Sequence, residues 1–405
     1  MNERPHLERV LSLPVLILYG LGTTVGAGIY ALIGEVAGRA GMWAPVAFLV
    51  AAGMASLTAL SFCELSARLP RAGGEAVYVG TGLRSPRLAV AVGMLVAAIG
   101  CLSAATVARA IAGYLDELVP VAAWLGILIL VIALGALAAW GITEAAWAAA
   151  SMTVIEVGAL IVVIVAGGEG LADVPAQLGK LIPPLRADAW QSIGSASLLC
   201  FYAFLGFEDM VNVAEEVKDV ERVLPQAILA TLACTVVIYL LLTLVVVQTV
   251  SPEEIAASRA PLAYLWGALT GGSTVWISIV GVLAMTNGAL IQVIKASRIL
   301  YGLADQGQLP KVFAEIHPRR HTPVMATVVV TVVVGALALS LPTGRLAETT
   351  SAATMGVFAL TNLSLFFLKL REPNVPGGRS VPLPVPLAGF VICSGFLILD
   401  LIRRL

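Results

Sequence analysis

Two carboxylates stand inside apolar stretches of this chain. Glu156 lies in the run Ser151-Met-Thr-Val-Ile-Glu-Val-Gly-Ala-Leu160, and Glu208 closes the run Phe201-Tyr-Ala-Phe-Leu-Gly-Phe-Glu208. An acid at membrane depth costs at least about 2.5 kcal/mol on insertion scales, so each is a functional candidate. Glu156 has no Lys or Arg one helical turn away. A carboxyl so isolated suits reversible protonation; the alternative is a neutral glutamate hydrogen-bonded to a neighbouring helix. Glu208 either meets a cationic group or a proton, or accepts backbone N–H bonds as a structural carboxylate.

The glycines supply a second kind of chemistry. Gly20, Gly22, Gly26 and Gly28 cluster in one apolar run, and Gly206 interrupts another five segments later. Glycine weakens a helix by about 1 kcal/mol relative to alanine and lets the backbone unwind. A broken helix leaves N–H groups free at one new end and C=O groups free at the other. Within a bilayer such groups are tolerated only inside protein or beside a cavity. Together they suit a zwitterion, with its carboxylate on the N–H groups and its ammonium on the carbonyls. One such helix is explained more readily by close helix packing; two in corresponding places favour a binding site.

These groups are carried by apolar helices. The chain is 59% hydrophobic and 12% charged, against about 25% charged in a soluble domain, and its mean hydropathy is +0.96. Eleven apolar segments are expected at 13–38, 42–67, 88–115, 121–141, 145–167, 190–214, 225–249, 275–303, 322–341, 348–370 and 383–402. Most match the roughly 20 residues that span a bilayer as helix, and the longer ones imply tilt. Proline and glycine clusters mark the joins, as at 69–74 and 373–386.

Placing residues 1–12 in the cytoplasm puts 15 Lys and Arg on that side and 7 on the other, with Arg109 and Lys295 inside segments. The positive-inside bias supports that orientation. The first apolar run follows a short charged N-terminus without a cleavage pattern and reads as a retained helix. The net charge of −1 offers nothing to hold nucleic acid. Cys63, Cys101, Cys200, Cys234 and Cys393 lie in apolar stretches without metal-ligand spacing and read as small core residues. No metal or cofactor is expected. His6, His317 and His321 all fall in expected cytoplasmic segments, which leaves no nucleophile–base set for a membrane enzyme. There is also no phosphate-binding loop of an ATP-driven pump.

Four strings carry a resemblance: Gly26-Ala-Gly-Ile-Tyr30 with Gly34-Glu35; Ser61-Phe-Cys-Glu64 with Leu69-Pro-Arg-Ala-Gly-Gly-Glu75; Phe204 through Asp219 with Leu224-Pro225; and Ser297 through Pro310 with His317-Pro318 and Thr322-Pro323. On these the chain resembles the amino acid–polyamine–organocation transporter superfamily, nearest to cationic and general amino acid permeases. The resemblance implies an all-α integral membrane protein of leucine-transporter type with about eleven helices. It has a first five-helix repeat at 13–167, an inverted second repeat at 190–370 and an extra helix at 383–405. Many members have twelve helices.

It further implies that the substrate carboxylate meets Gly26, Ala27 and Gly28, and that the ammonium meets carbonyls near Thr24, Tyr202 and Leu205. Tyr202 is open to two readings, a cover over the site or a core aromatic. Glu156 replaces a lysine that some proton-coupled members carry, and is expected to be the proton-coupling site. Thr286, Asn287 and Gln292 either read the substrate side chain or join helices. Lys295, Arg298 and Arg109 are open to snorkelling. Glu64 and Glu75, with Arg68 and Arg71, read as gate or elbow ion pairs.

The implied function is secondary active amino-acid transport in the cell membrane by alternating access, with a proton as coupling ion and the lipid bilayer as surroundings. Substrate is expected between helices 1, 3, 6 and 8. An amino acid–polyamine exchanger of the same fold and a non-transporting amino-acid sensor are the alternatives.

Overall fold

A computed structural model describes residues 11–69, 74–116, 122–140, 145–317, 320, 322–373 and 380–404. Arg71, His6, His321 and the first ten residues therefore lie outside the described residues. Seventeen α-helices follow one another: α1 (Leu13–Val25), α2 (Ala27–Ala40), α3 (Ala44–Arg68), α4 (Gly74–Gly82), α5 (Pro86–Asp116), α6 (Ala123–Trp140), α7 (Ala145–Ala166), α8 (Gly168–Ala172), α9 (Val174–Leu181), α10 (Ala187–Ala203), α11 (Val220–Thr249), α12 (Pro252–Ala257), α13 (Pro261–Thr270), α14 (Val275–Asp305), α15 (Val324–Ser340), α16 (Thr343–Arg371) and α17 (Pro384–Arg404). Among the described residues there is no strand, only an isolated bridge between Leu11 and Val217 that ties the chain start to the loop before α11.

Among the described residues, eight helical stretches are long and apolar enough to cross a membrane. Three shorter apolar helices, Leu13–Val25, Met152–Ala166 and Val324–Ser340, accompany them. Each expected segment corresponds to one of these helices or to a broken pair, and the protein is an all-α, multi-pass membrane protein. The pattern of burial is inverted relative to a water-soluble bundle. Val165, Val332, Leu399 and Ile402 are exposed, whereas Thr58, Ser61, Glu64, Asn362 and Thr361 are buried. Lipid accepts the apolar faces, and polar groups turn inward to find partners.

The expected segment 13–38 is two helices, because the backbone at Gly26 leaves helical geometry (φ −60°, ψ −99°). The expected segment 190–214 is helical only to Ala203 and resumes as a 3₁₀ stretch, Phe207–Glu216. Between them Gly206 adopts φ +125°, and a Cβ there would meet the Thr23 carbonyl. Only glycine satisfies both demands. Helix α11 begins at Val220, ahead of the expected 225, with Pro225 inside the helix. A second difference from the sequence reading is Cys234, which is exposed, while the other four cysteines are buried.

Helices α5 and α14 pack along their lengths, as do α3 and α11, and α10 lies against α2 and α3. Gly28 permits that last approach, since a Cβ would collide with Ala203 Cα. Beneath the breaks lies an aromatic cluster in which Phe62 meets Tyr78, Phe207 and Phe358 edge to face, with centroids 5.5–5.9 Å apart. Phe204 stacks tilted on Tyr239 at 5.3 Å. Arg109 donates to the Ala338 carbonyl (2.9 Å) in the last turn of α15, so it caps a helix end rather than reaching for the bilayer surface.

Candidate functional site

The two breaks face each other and are held by hydroxyl groups. Thr23 Oγ1 donates across to the Gly206 carbonyl (3.0 Å). Tyr239 Oη, from α11, lies 2.9 Å from both the Thr24 carbonyl and the Ala203 carbonyl. These are carbonyls of the last turns of α1 and α10, the groups a helix end leaves free. One phenol thus bridges both interrupted helices.

Beside the breaks a cavity is lined by residues of four regions. Thr23, Thr24 and Gly28 come from α1 and α2; Ser103 and Val107 from α5; Tyr202, Leu205 and Asp209 from α10 and the interrupted stretch; Gly288, Ile291 and Gln292 from α14. Six of these eleven residues carry polar side chains, set against apolar surface from Val107, Leu205 and Ile291, and convergent polar groups on an apolar wall suit a small polar ligand. Two of those groups are buried without a partner in the structure, Thr24 Oγ1 and Gln292 Oε1. Buried polar atoms are normally paired, so orphans at a cavity wall mark places where a ligand or water completes the bonding.

Of the residues singled out in the sequence, Thr24, Gly28, Tyr202, Leu205 and Gln292 line this one cavity. Tyr202 is buried, and its hydroxyl lies 3.0 Å from Ser103 Oγ on α5. Gly26 is the break itself, and Ala27 opens α2, whose first N–H groups have no acceptor within the helix. Asn287 is half-buried on α14, next to the lining residue Gly288. Glu208 does not line the cavity: its carboxylate accepts the Gly206 N–H at 2.8 Å and caps the turn that follows α10.

Glu156 lies outside the cavity wall but beside the first break. It is 1% exposed, and neither carboxyl oxygen has a partner in the structure. A Cβ built on Gly26 would sit 3.7 Å from Glu156 Oε2 and 3.6 Å from the Ala284 carbonyl of α14. Tyr30 Oη donates to the Glu156 backbone carbonyl (3.1 Å), fixing α7 against α2. The carboxyl is thus held where α1, α2, α7 and α14 converge, and a proton or small cation would satisfy its oxygens.

Sequence reasoning passed over Asp209 and left Lys295 open to snorkelling, whereas its ammonium turns inward to an acid. Lys295 Nζ pairs with Asp209 Oδ1, and Gln292 Nε2 donates to Asp209 Oδ2 at 3.3 Å. Glu75 and Glu208 lie near enough to act on the same lysine. The signal was present, because an acid and a base each inside apolar segments imply one another. Tyr239 left no such trace, since a tyrosine in an apolar run reads as core. Glu64 pairs with Arg68 as expected, and also with Lys369 of α16.

The comparisons with known proteins point one way. The family model described as amino acid permease matches residues 11–402. An uncharacterized transporter of Mycobacterium tuberculosis is 31% identical over 96% of this chain and 85% of its own. The vacuolar cationic amino acid transporter 4 of Arabidopsis thaliana is 30% identical over 92% of this chain and 65% of its own. Cationic amino acid transporter 4 of Mus musculus is 28% identical over 94% and 63%. The family and these relatives are transporters, not enzymes.

Proposed function

The chain belongs to the amino acid permease family, and from that premise we propose that this amino-acid transporter works by secondary active transport, binding its substrate in the cavity between the two helix breaks. The carrying observation is that cavity, with Thr24 Oγ1 and Gln292 Oε1 left unpartnered at its wall. The substrate carboxylate binds the N–H groups that open α2, at Gly26, Ala27 and Gly28, where the helix dipole favours negative charge. The ammonium binds near the carbonyl ends of α1 and α10, with Thr24, Tyr202 and Leu205 around it.

Movement follows from the same construction. Segments 13–167 and 190–370 act as two inverted halves, each opening with an interrupted helix, and one set of helices rocks against the other about the fixed site. Glu156 carries the coupling proton, because its carboxyl sits beside the Gly26 break without hydrogen-bond partners. Proton uptake there changes how firmly α7 and α14 hold α1 and α2. The end of the bundle that bears Arg68, Lys369 and Arg371 faces the cytoplasm, in keeping with the positive-inside bias, and the membrane is the cell membrane. Relatives named for cationic amino acids set lysine and arginine beside the neutral amino acids as candidate substrates.

Uptake of radiolabelled amino acids into proteoliposomes tests this reading. The wild type accumulates substrate when an inward proton gradient is imposed. Glu156→Gln retains counterflow and loses gradient-driven accumulation. Accumulation that survives in Glu156→Gln removes the proton role, and exchange that never responds to a gradient makes the protein an exchanger.

A further inference from the structure

We propose that Lys295 is a built-in stand-in for a cationic substrate side chain, paired with the acid of the cavity wall so that the site takes amino acids with uncharged side chains and turns away lysine- and arginine-like ones. This rests on the reading of the cavity as the amino-acid site.

Asp209 is the one carboxylate among the described residues that line the cavity. It comes from the stretch that follows the second break, four residues past Leu205, and only 2% of it is exposed. A free carboxylate there would be a ready receptor for the ammonium of lysine or the guanidinium of arginine. It is not free. Lys295 Nζ sits on Oδ1 and Gln292 Nε2 on Oδ2. Both partners project from α14, three residues apart and hence on one face. The lysine side chain is itself largely buried, at 13% exposure.

The amide of Gln292 is oriented by this arrangement. Its N–H points to Asp209, so Oε1, the unpartnered atom, is the remaining polar group of that amide. What the wall offers a substrate side chain here is a neutralised ion pair, one amide oxygen and the apolar surfaces of Ile291, Leu205 and Val107. An uncharged side chain meets no penalty. A cationic one must either sit against the Lys295 ammonium or displace it, and like-charge juxtaposition in a desolvated site is strongly unfavourable.

The groups around the lysine hold it in place. Asp209, Glu75 and Glu208 all act on it, and the Glu208 carboxylate is anchored by the Gly206 N–H. Three acids and one base converge, so removing the base leaves an acidic pocket open to a cation of the right reach. Lysine and arginine substrates carry that cation on a flexible stem, as Lys295 does.

The test compares purified wild type with Lys295→Met and with Asp209→Asn/Lys295→Met. The readout is the ratio of arginine and lysine affinity to alanine and leucine affinity, from competition against a bound radiolabelled amino acid. Expected is a low ratio in the wild type, a rise on the order of a hundredfold in Lys295→Met, and a return toward the low ratio in the double variant, which removes the acid as well. Lys295→Gln keeps a donor for Asp209 and carries the same expectation if the methionine variant does not fold. A wild type that binds arginine or lysine as well as alanine or leucine overturns the proposal, as does an unchanged ratio in both single variants. Failure of the wild type to bind any of the four amino acids overturns the transport reading and this inference with it, and that result differs visibly from a changed or unchanged ratio.

Discussion

Two buried charge clusters of similar composition sit in different parts of the molecule. At the end of α3, Glu64 accepts from Arg68 Nε (2.9 Å), from Lys369 Nζ at both oxygens (2.8 Å each) and from the Val381 N–H (2.8 Å). Arg68 also donates to the Glu372 carbonyl at 2.8 Å. One acid is saturated by bases from regular helix ends, and the cluster joins α3 and α16 to the segment leading into α17. Beside the cavity the balance is reversed. Asp209, Glu208 and Glu75 surround one lysine, and the acids come from an interrupted helix and a short connecting helix. A saturated cluster acts as a staple, because any rearrangement exposes an unpaired charge. A cluster with surplus acids and a neighbouring orphan amide oxygen has spare partners, so it can exchange one for another as a ligand arrives or a helix moves.

Variants can break or sharpen that contrast. Glu64→Ala strands two cations and is expected to cost about 3–5 kcal/mol. It is read as a large fall in the thermal unfolding midpoint in detergent, with the substrate preference of the surviving protein unchanged. Asp209→Asn is expected to cost less, about 1–3 kcal/mol, because Lys295 keeps Glu75 and Glu208 as neighbours. Its main effect is on uptake. Equal stability losses in the two variants would remove the distinction between staple and exchangeable cluster.

A third prediction concerns pH. Glu75, in α4 between spans, is pushed above its ordinary value of 4.5, chiefly by burial; the Lys295 ammonium opposes the shift and Asp209 adds to it. The folded protein therefore holds this proton more tightly than the unfolded chain does. The stability it contributes is complete below about 4.5 and is lost as pH rises through the raised folded value. The unfolding midpoint should decline over that window, and Glu75→Gln should flatten the decline. The smallest effect is expected from Tyr239→Phe. Loss of the hydroxyl between the Thr24 and Ala203 carbonyls costs about 1 kcal/mol, seen as a modest midpoint shift, while amino-acid affinity changes as the two breaks lose their common tether.

The fold was legible wherever a local property carried it. The apolar runs announced the spans, and the glycines at 26 and 206 announced both interruptions, since backbone freedom belongs to the residue itself. Five candidate residues, Thr24, Gly28, Tyr202, Leu205 and Gln292, line one cavity. Glu208 was legible as an acid with two readings, and the structure shows the structural one, a carboxylate accepting a backbone N–H; which N–H, that of Gly206, was hidden because the turn exists only once the helix has broken. The early start of α11 was hidden by Pro225, which reads as a boundary, yet the helix carries it inside.

By itself the sequence determined that the chain spans a membrane many times, where two of its helices fail, and that an acid stands alone in α7. Those follow from hydrophobicity, chain length and the missing Cβ of glycine, all properties of a residue and its near neighbours. Only the tertiary structure decided which charges meet. Lys295 finds Asp209 across 86 residues and Lys369 finds Glu64 across 305. Ion pairing depends on distance in space, and the packing of whole helices brings those side chains together. The same packing decides that Asp209 lines the cavity already paired with a lysine, while Glu156 lies beside the break with its oxygens unmet.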